Sequence, residues 1–202
     1  MGNETEYAYL TQPLGDYLDR LAARTPCPGG GSVAALVACL AAALASMAAV
    51  FTAGKKAYAA HEARLRALLD ESANLRAELQ KFIEEDSRIY ARMRAAARTD
   101  PAVEQKAVRA SIEMHCEVAS AMLKVLQWDR FLLESGNPRL VSDVGISAVL
   151  AEAAFWAARF NAEINFTACA DPAFTEQRRM VLDRLEREII REAATVRQGS
   201  LT

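Results

Sequence analysis

The chain has 202 residues, 52% hydrophobic and 25% charged, with a formal net charge of −2. That length suits one domain with a sizeable core, and the apolar fraction excludes a disordered chain. A near-neutral balance leaves no basic footprint for nucleic acid.

Alanine dominates, while β-branched and aromatic residues are sparse, a bias towards helix over strand. The first helix is predicted over residues 12–23, with Thr11 as cap and Pro13 in its first turn. Pro26-Cys27-Pro28-Gly29-Gly30-Gly31-Ser32 then interrupts the chain. The prolines bar a helix from entering, and the glycines allow positive φ or close approach to bare backbone. Ser32 stands where an N-cap belongs. A glycine-rich segment feeding a helix N-terminus is an anion site, or simply a tight turn.

The second helix, residues 32–52, is an alanine run without a polar face and is expected to be buried on all sides. Residues 32–53 are long enough to span a bilayer, but alanine, Ser32, Ser46 and Thr52 favour a soluble small-residue helix, and no membrane partner is expected. Gly54-Lys55-Lys56 ends it, the lysines serving the helix dipole or anchoring an anionic ligand. A long third helix is predicted over 60–98, with Leu65, Leu68, Leu79, Ile83 and Met93 at helical spacing. Thr99-Asp100-Pro101 breaks it and opens a fourth helix to residue 135, which Gly136-Asn137-Pro138 stops. A second alanine-rich helix covers 142–169, and Asp171-Pro172 starts a last amphipathic one over 173–196. The expected fold is all-α, a bundle of about six helices with two buried alanine-rich ones, as a single domain over residues 1–202.

The four cysteines are widely spaced, with no C-x-x-C pair, and read as free thiols in a reducing cytoplasm. The acidic start, Met-Gly-Asn-Glu-Thr-Glu-Tyr, lacks the marks of a signal peptide. His61 and His115 are the only histidines, too few and too far apart for an expected metal site.

Two sets of polar residues sit on apolar faces. Asp86 follows Phe82 by four and precedes Met93 by seven, so helical period places it on the third helix's apolar stripe. A desolvated carboxylate there is either half of a salt bridge to a neighbouring Arg or Lys, or a candidate acid or base. Asn161 and Asn165 share one face of the fifth helix with Asp143, but Asp143 is ~27 Å from Asn161 along a straight helix. The three therefore serve different ends of a long cleft, different sites across a subunit interface, or local capping and backbone bonds.

Taken in order, Pro-Cys-Pro-Gly-Gly-Gly-Ser-Val-Ala-Ala, Thr52-Ala53-Gly54-Lys55-Lys56, Gly136-Asn137-Pro138 with Ser142-Asp143-Val144-Gly145, and Asn161-Ala162-Glu163-Ile164-Asn165 resemble the formiminotransferase-cyclodeaminase C-terminal domain family. That family includes stand-alone methenyltetrahydrofolate cyclohydrolases. The resemblance implies a dimerising helical bundle with its site near the subunit interface, and a folate derivative as substrate with no further cofactor. It makes Asp86, within Asp-x-x-x-Tyr, the catalytic carboxylate. Gly29, Gly30, Gly31, Ser32, Lys55, Lys56, Asn137, Ser142, Asp143, Asn161 and Asn165 become substrate-binding candidates. With no room in 202 residues for a transferase domain, cyclohydrolase is the favoured activity. The alternatives are a formiminotetrahydrofolate cyclodeaminase, a folate-binding bundle without chemistry, or a helical interaction protein.

Overall fold

The computed structural model describes residues 7–201. The acidic start on which the signal-peptide expectation rests lies almost wholly outside them. Six α-helices follow one another among the described residues: α1 (Leu14–Ala22), α2 (Gly30–Val50), α3 (Glu62–Ala96), α4 (Pro101–Ser135), α5 (Val141–Ala168) and α6 (Pro172–Gly199). Short 3₁₀ turns precede α1, α3 and α5.

The breaks arise from the predicted residues. Asp100 accepts from the Val103 amide at 3.1 Å and Asp171 from the Phe174 amide at 3.0 Å, each with proline at the first helical position. Gly54 has φ +74°, the left-handed conformation that ends the turn after α2. Thr11 does not cap α1. It closes the preceding 3₁₀ turn, and Pro13 takes the N-cap position in extended backbone. α2 begins two residues before the expected Ser32. Extended Gly29 (φ −131°, ψ −164°) is its N-cap, so Gly30, Gly31 and Ser32 form the first turn. None of these glycines has positive φ.

α2 and α5 run antiparallel through the core. Ser147 donates to the Ala41 carbonyl at 3.0 Å, and an ideal Cβ on Gly30 is 3.5 Å from the Asn161 amide. Alanines at 34, 35, 38, 41, 42, 45 and 148, 151, 154, 158 are fully buried, and their small side chains let the two axes approach. By length and composition alone α2 and the segment Pro138–Ala168 are apolar enough to cross a membrane. The expectation that α2 is buried on all sides is not met. Val33, Leu36, Val37, Leu40, Leu44, Met47 and Val50 recur on one face that no other helix covers fully, with Leu40 and Val50 about half exposed. On α5, Ile146, Val149, Phe160 and Ile164 are similarly exposed. Single subunits seldom leave such stripes without a partner.

One polar group is buried deep in this core. Asp129 of α4 is 0% exposed, and Ser147 is its sole polar contact among the described residues. The Ser147 hydroxyl has one proton to share between the Asp129 Oδ2 at 2.9 Å and the Ala41 carbonyl at 3.0 Å. With no cation beside it among the described residues and one oxygen without a partner, burial favours the neutral carboxylic acid. Burial pushes its carboxyl well above the usual range, against the lowering effect of Ser147. A raised native pKa means that the folded chain holds a proton which the unfolded chain loses near pH ~3.9. The contribution of Asp129 to stability is greatest below that pH and declines as pH rises towards the native value. Asp129→Asn, which keeps an acceptor for Ser147 and cannot ionise, is expected to remove this decline, so that its stability relative to wild type improves as pH rises towards neutrality. Urea denaturation of both proteins across a pH series checks it.

Candidate active site

α3 carries Asp86 to the N-terminus of α2. The Asp86 Oδ2 accepts from the Ser32 amide at 3.0 Å, so the group held at this helix terminus is the protein's own carboxyl. Ser32 is buried, and its hydroxyl donates to the Ile83 carbonyl at 2.7 Å. With that proton committed, Tyr17 of α1 donates to Ser32 Oγ at 3.0 Å. The Ser32 side chain thus ties α1, α2 and α3 together while its amide fixes Asp86.

The other Asp86 oxygen, Oδ1, faces His115 Nε2 at 3.6 Å. No Arg or Lys reaches Asp86 among the described residues, which removes the salt-bridge reading. His115 stands on α4, with its side chain 1% exposed, while that of Asp86 is 16% exposed. Both side chains line one cavity, with Asp86 the more exposed and the imidazole set deeper behind it. The other ring nitrogen is fixed: Nδ1 lies 2.7 Å from the Ser111 carbonyl, which can only accept, so Nδ1 carries a hydrogen. Burial pushes the Asp86 carboxyl up, opposed by His115 and by the Ser32 amide. Burial pulls the His115 imidazole down, opposed by Asp86 and by the Ser111 carbonyl. Both shifts favour an uncharged pair.

Gly31 makes this meeting possible. A Cβ there would lie 2.0 Å from Asp86 Oδ1 and 2.6 Å from His115 Nε2. The glycine is required for space, not for its backbone conformation.

α5 closes the opposite wall. Asn161 donates to the Ala157 carbonyl and Asn165 to the Asn161 carbonyl, each at 2.8 Å, and Asn165 also donates to Ser111 Oγ at 3.0 Å. Both amide hydrogens of Asn165 and one of Asn161 are bound by the protein, and among the described residues no donor reaches either side-chain oxygen. Both residues line a cavity of about 480 Å³ with Gly29, Gly30, Gly31 and Asp86, a usual size for a small-molecule site, roughly 300–1,000 Å³. Tyr90 and Met93 of α3, with Ile164 of α5, supply apolar walls. A larger cavity of about 690 Å³ lies between α3, α4 and α6. Its Glu78, Glu113 and Glu117 repel one another, and burial with those like charges pushes Glu117 up. It has no counterpart to the Asp86–His115 pair.

Of the sequence candidates, Gly29, Gly30, Gly31, Ser32, Asp86, Asn161 and Asn165 converge here. The others lie at the far end of the antiparallel α2–α5 pair. Lys55 and Lys56 follow α2, and Ser142 and Asp143 sit in the first turn of α5. Asn137 clamps that end, its amide donating to Thr52 Oγ1 at 3.1 Å and its side-chain oxygen accepting from Arg139 at 3.2 Å. His115 was not among the candidates. Counting histidines as metal ligands passes over it, but its place between Ile112 and Val118 on the apolar face of α4 is the signal that also exposes Asp86.

The chain as a whole is similar to known proteins. The profile of the family described as Formiminotransferase-cyclodeaminase matches residues 13–184. The methenyltetrahydrofolate cyclohydrolase of Methylorubrum extorquens is 33% identical over 91% of this chain and 89% of its own length. The formimidoyltransferase-cyclodeaminase of Rattus norvegicus is 29% identical over 97% of this chain, which spans only 38% of that longer protein. The crystal structure of formiminotetrahydrofolate cyclodeaminase from Thermotoga maritima superposes with a TM-score of 0.90 at 27% identity, covering 94% of this chain and 96% of that one.

The Gly31 contact is directly testable. Gly31→Ala is expected to lose about 1–3 kcal/mol of stability through overpacking. Gly30→Ala, whose Cβ meets Asn161 at an ordinary 3.5 Å, keeps its stability or gains up to ~1 kcal/mol from helix propensity. Chemical denaturation of the two variants side by side checks the contrast.

Proposed function

This chain belongs to the formiminotransferase-cyclodeaminase family, and we propose that within it the protein is a cytoplasmic methenyltetrahydrofolate cyclohydrolase that works as a homodimer. The observation that carries the reading is a carboxyl without a permanent cation, backed by a buried imidazole and facing a small-molecule cavity. Near full-length similarity to a cyclohydrolase supports the choice of reaction.

The substrate's bridging carbon lies in a cationic amidinium between N5 and N10. Asp86 attracts that cation in a low-dielectric cavity, an interaction worth more there than in water. Water adds to the carbon, forming a C–O bond, while its proton passes to Asp86. Asp86 then gives a proton to N5, the C–N5 bond breaks with its electron pair on N5, and the hydroxyl proton is lost as the formyl carbonyl forms. Side chains and water supply every proton movement in this scheme. The Asn161 and Asn165 oxygens suit the N–H edge of the pterin or the second hydrogen of the attacking water.

The uncovered apolar stripes of α2 and α5 support the dimer. A two-fold axis perpendicular to α2 sets partner helices antiparallel. One subunit's Lys55, Lys56, Asn137, Ser142 and Asp143 then approach the other's Asp86 cavity, where the lysines meet the folate's glutamate carboxylates. The free thiols are consistent with a reducing cytoplasm. The cyclodeaminase activity of other relatives is the second reading, because expulsion of ammonia passes through a similar tetrahedral carbon.

Purified protein is expected to accelerate loss of the near-ultraviolet band of 5,10-methenyltetrahydrofolate. Consumption of 5-formiminotetrahydrofolate alone, with ammonia released, selects the second reading. Asp86→Asn is expected to lower kcat by about 10²–10⁴-fold with helicity unchanged in circular dichroism.

The shared site has its own test. Asp86→Asn mixed with Lys55→Ala/Lys56→Ala, unfolded and refolded together, is expected to recover about one quarter of wild-type activity, since half the dimers are mixed and each holds one intact site. A site contained in one subunit recovers none.

A further inference from the structure

Asp86 Oδ1 and His115 Nε2 face each other at 3.6 Å, with the imidazole side chain 1% exposed. His115 Nε2 is buried without a hydrogen-bond partner in the resting site. Nδ1 already carries a hydrogen, held by Ser111. Two bare acceptors facing each other at this separation in a buried setting would repel. One proton therefore belongs to the pair, on Oδ1 or on Nε2, and catalytic contacts of this kind often shorten when substrate arrives.

We infer that His115 is the proton store of the Asp86 site: arrival of a cationic substrate against Asp86 drives the shared proton from Oδ1 onto Nε2, leaving a carboxylate towards the substrate. The inference rests on the proposed cyclohydrolase reading and deepens it. An amidinium next to a neutral acid gains nothing from Coulomb attraction. Moving the proton from Oδ1 to Nε2, 3.6 Å apart, places the negative charge beside the substrate and the positive charge behind it, with no change in net charge. Asp86 is then basic when water attacks and takes its proton. It protonates N5 and receives the hydroxyl proton as the carbonyl forms. The pair now holds one proton more than at rest, and that proton leaves to solvent through Asp86 after product departs. One water is consumed and one proton released per cationic substrate, so atoms and charge balance. His115 touches no substrate in this sequence and is a positioning residue acting through Asp86.

The surroundings leave the pair free to respond. Tyr17 of α1 faces Asp86, and Asp86 together with burial holds its hydroxyl in the neutral form. The loop before α2 brings Cys27, α3 brings Tyr90, and α5 brings only Asn161 and Asn165. No Lys or Arg lines this cavity among the described residues.

The test compares kcat/KM against pH for wild type and His115→Gln, whose amide reaches towards Asp86 but cannot take a proton. Wild type is expected to stay level through the range in which the pair keeps its proton. The variant must release that proton to solvent before it binds a cation, so its kcat/KM climbs about tenfold per pH unit until Asp86 ionises. Wild-type turnover with the same profile in both proteins overturns the proton store and leaves the cyclohydrolase reading standing. Absence of wild-type turnover of 5,10-methenyltetrahydrofolate overturns both. A readout that needs no variant is ¹⁵N NMR of histidine-labelled protein, where His115 is one of two signals. Because the reaction releases a proton, mildly acidic buffer keeps saturating folate in its methenyl form. His115 is expected as the neutral Nδ1–H tautomer in the free protein and protonated on both nitrogens in the complex. A ring that stays neutral in the complex overturns the inference.

Discussion

A carboxylate, an imidazole and a helix N-terminus converge on one point that has no room for a side chain. Gly31 holds that point open, and its missing Cβ is as much a part of the site as the groups around it. The forces on Asp86 oppose one another. Burial raises the free energy of its charged form, while the Ser32 amide at the start of α2 and the nearby imidazole lower it. Neither side is supplied with a fixed countercharge, and a group balanced in this way changes protonation when a charge enters beside it. A guanidinium in place of His115 would lock the carboxylate as an ion pair and end its use as a base.

Much of this was legible from the chain. Helix boundaries followed from Asp100-Pro101, Gly136-Asn137-Pro138 and Asp171-Pro172, because caps and prolines act locally. The exposure of Asp86 as an anomaly needed only helical periodicity. The glycines were harder. Three in a row before a helix suggest backbone freedom or an open anion site, whereas here two of them are helical and the helix terminus is occupied by the Asp86 carboxyl. That distinction depends on which helix crosses the α2 terminus, a contact between residues 54 apart in sequence. His115 and Asp129 were missed for a related reason. Each sits on an apolar face of α4, and only the packed neighbours reveal that one borders the cavity while the other is sealed in the core.

The alanine helices show how composition and assembly are connected. Small side chains let α2 and α5 pack closely enough for Ser147 to reach the Ala41 carbonyl and for Asn161 to approach Gly30. The same compactness leaves few large side chains to shield the outer faces. Leucines, valines and phenylalanines remain uncovered there, on the very helices that connect the Asp86 end to the Lys55–Asp143 end. A charged or polar outer face would have separated these two ends for good. An apolar one gives the proposed second subunit a reason to bind, and antiparallel packing converts a distance of ~27 Å within one helix into proximity across two.

The proposed proton pair is compatible with either of the two reactions for which similar proteins are named. In both, a carbon between N5 and N10 passes through a tetrahedral state bearing a third heteroatom. That atom is oxygen when water enters and nitrogen when ammonia leaves. Entering water needs acceptors for two hydrogens, which Asp86 and an asparagine oxygen provide. Departing ammonia needs a donor for its lone pair and acceptors for the hydrogens it already has, which the same groups provide once Asp86 is protonated. A dyad that can hold either one or two protons therefore does not discriminate between the reactions by its own chemistry. The direction and the heteroatom follow from the charge and shape of the folate that fills the cavity, and those are read by the walls rather than by the acid.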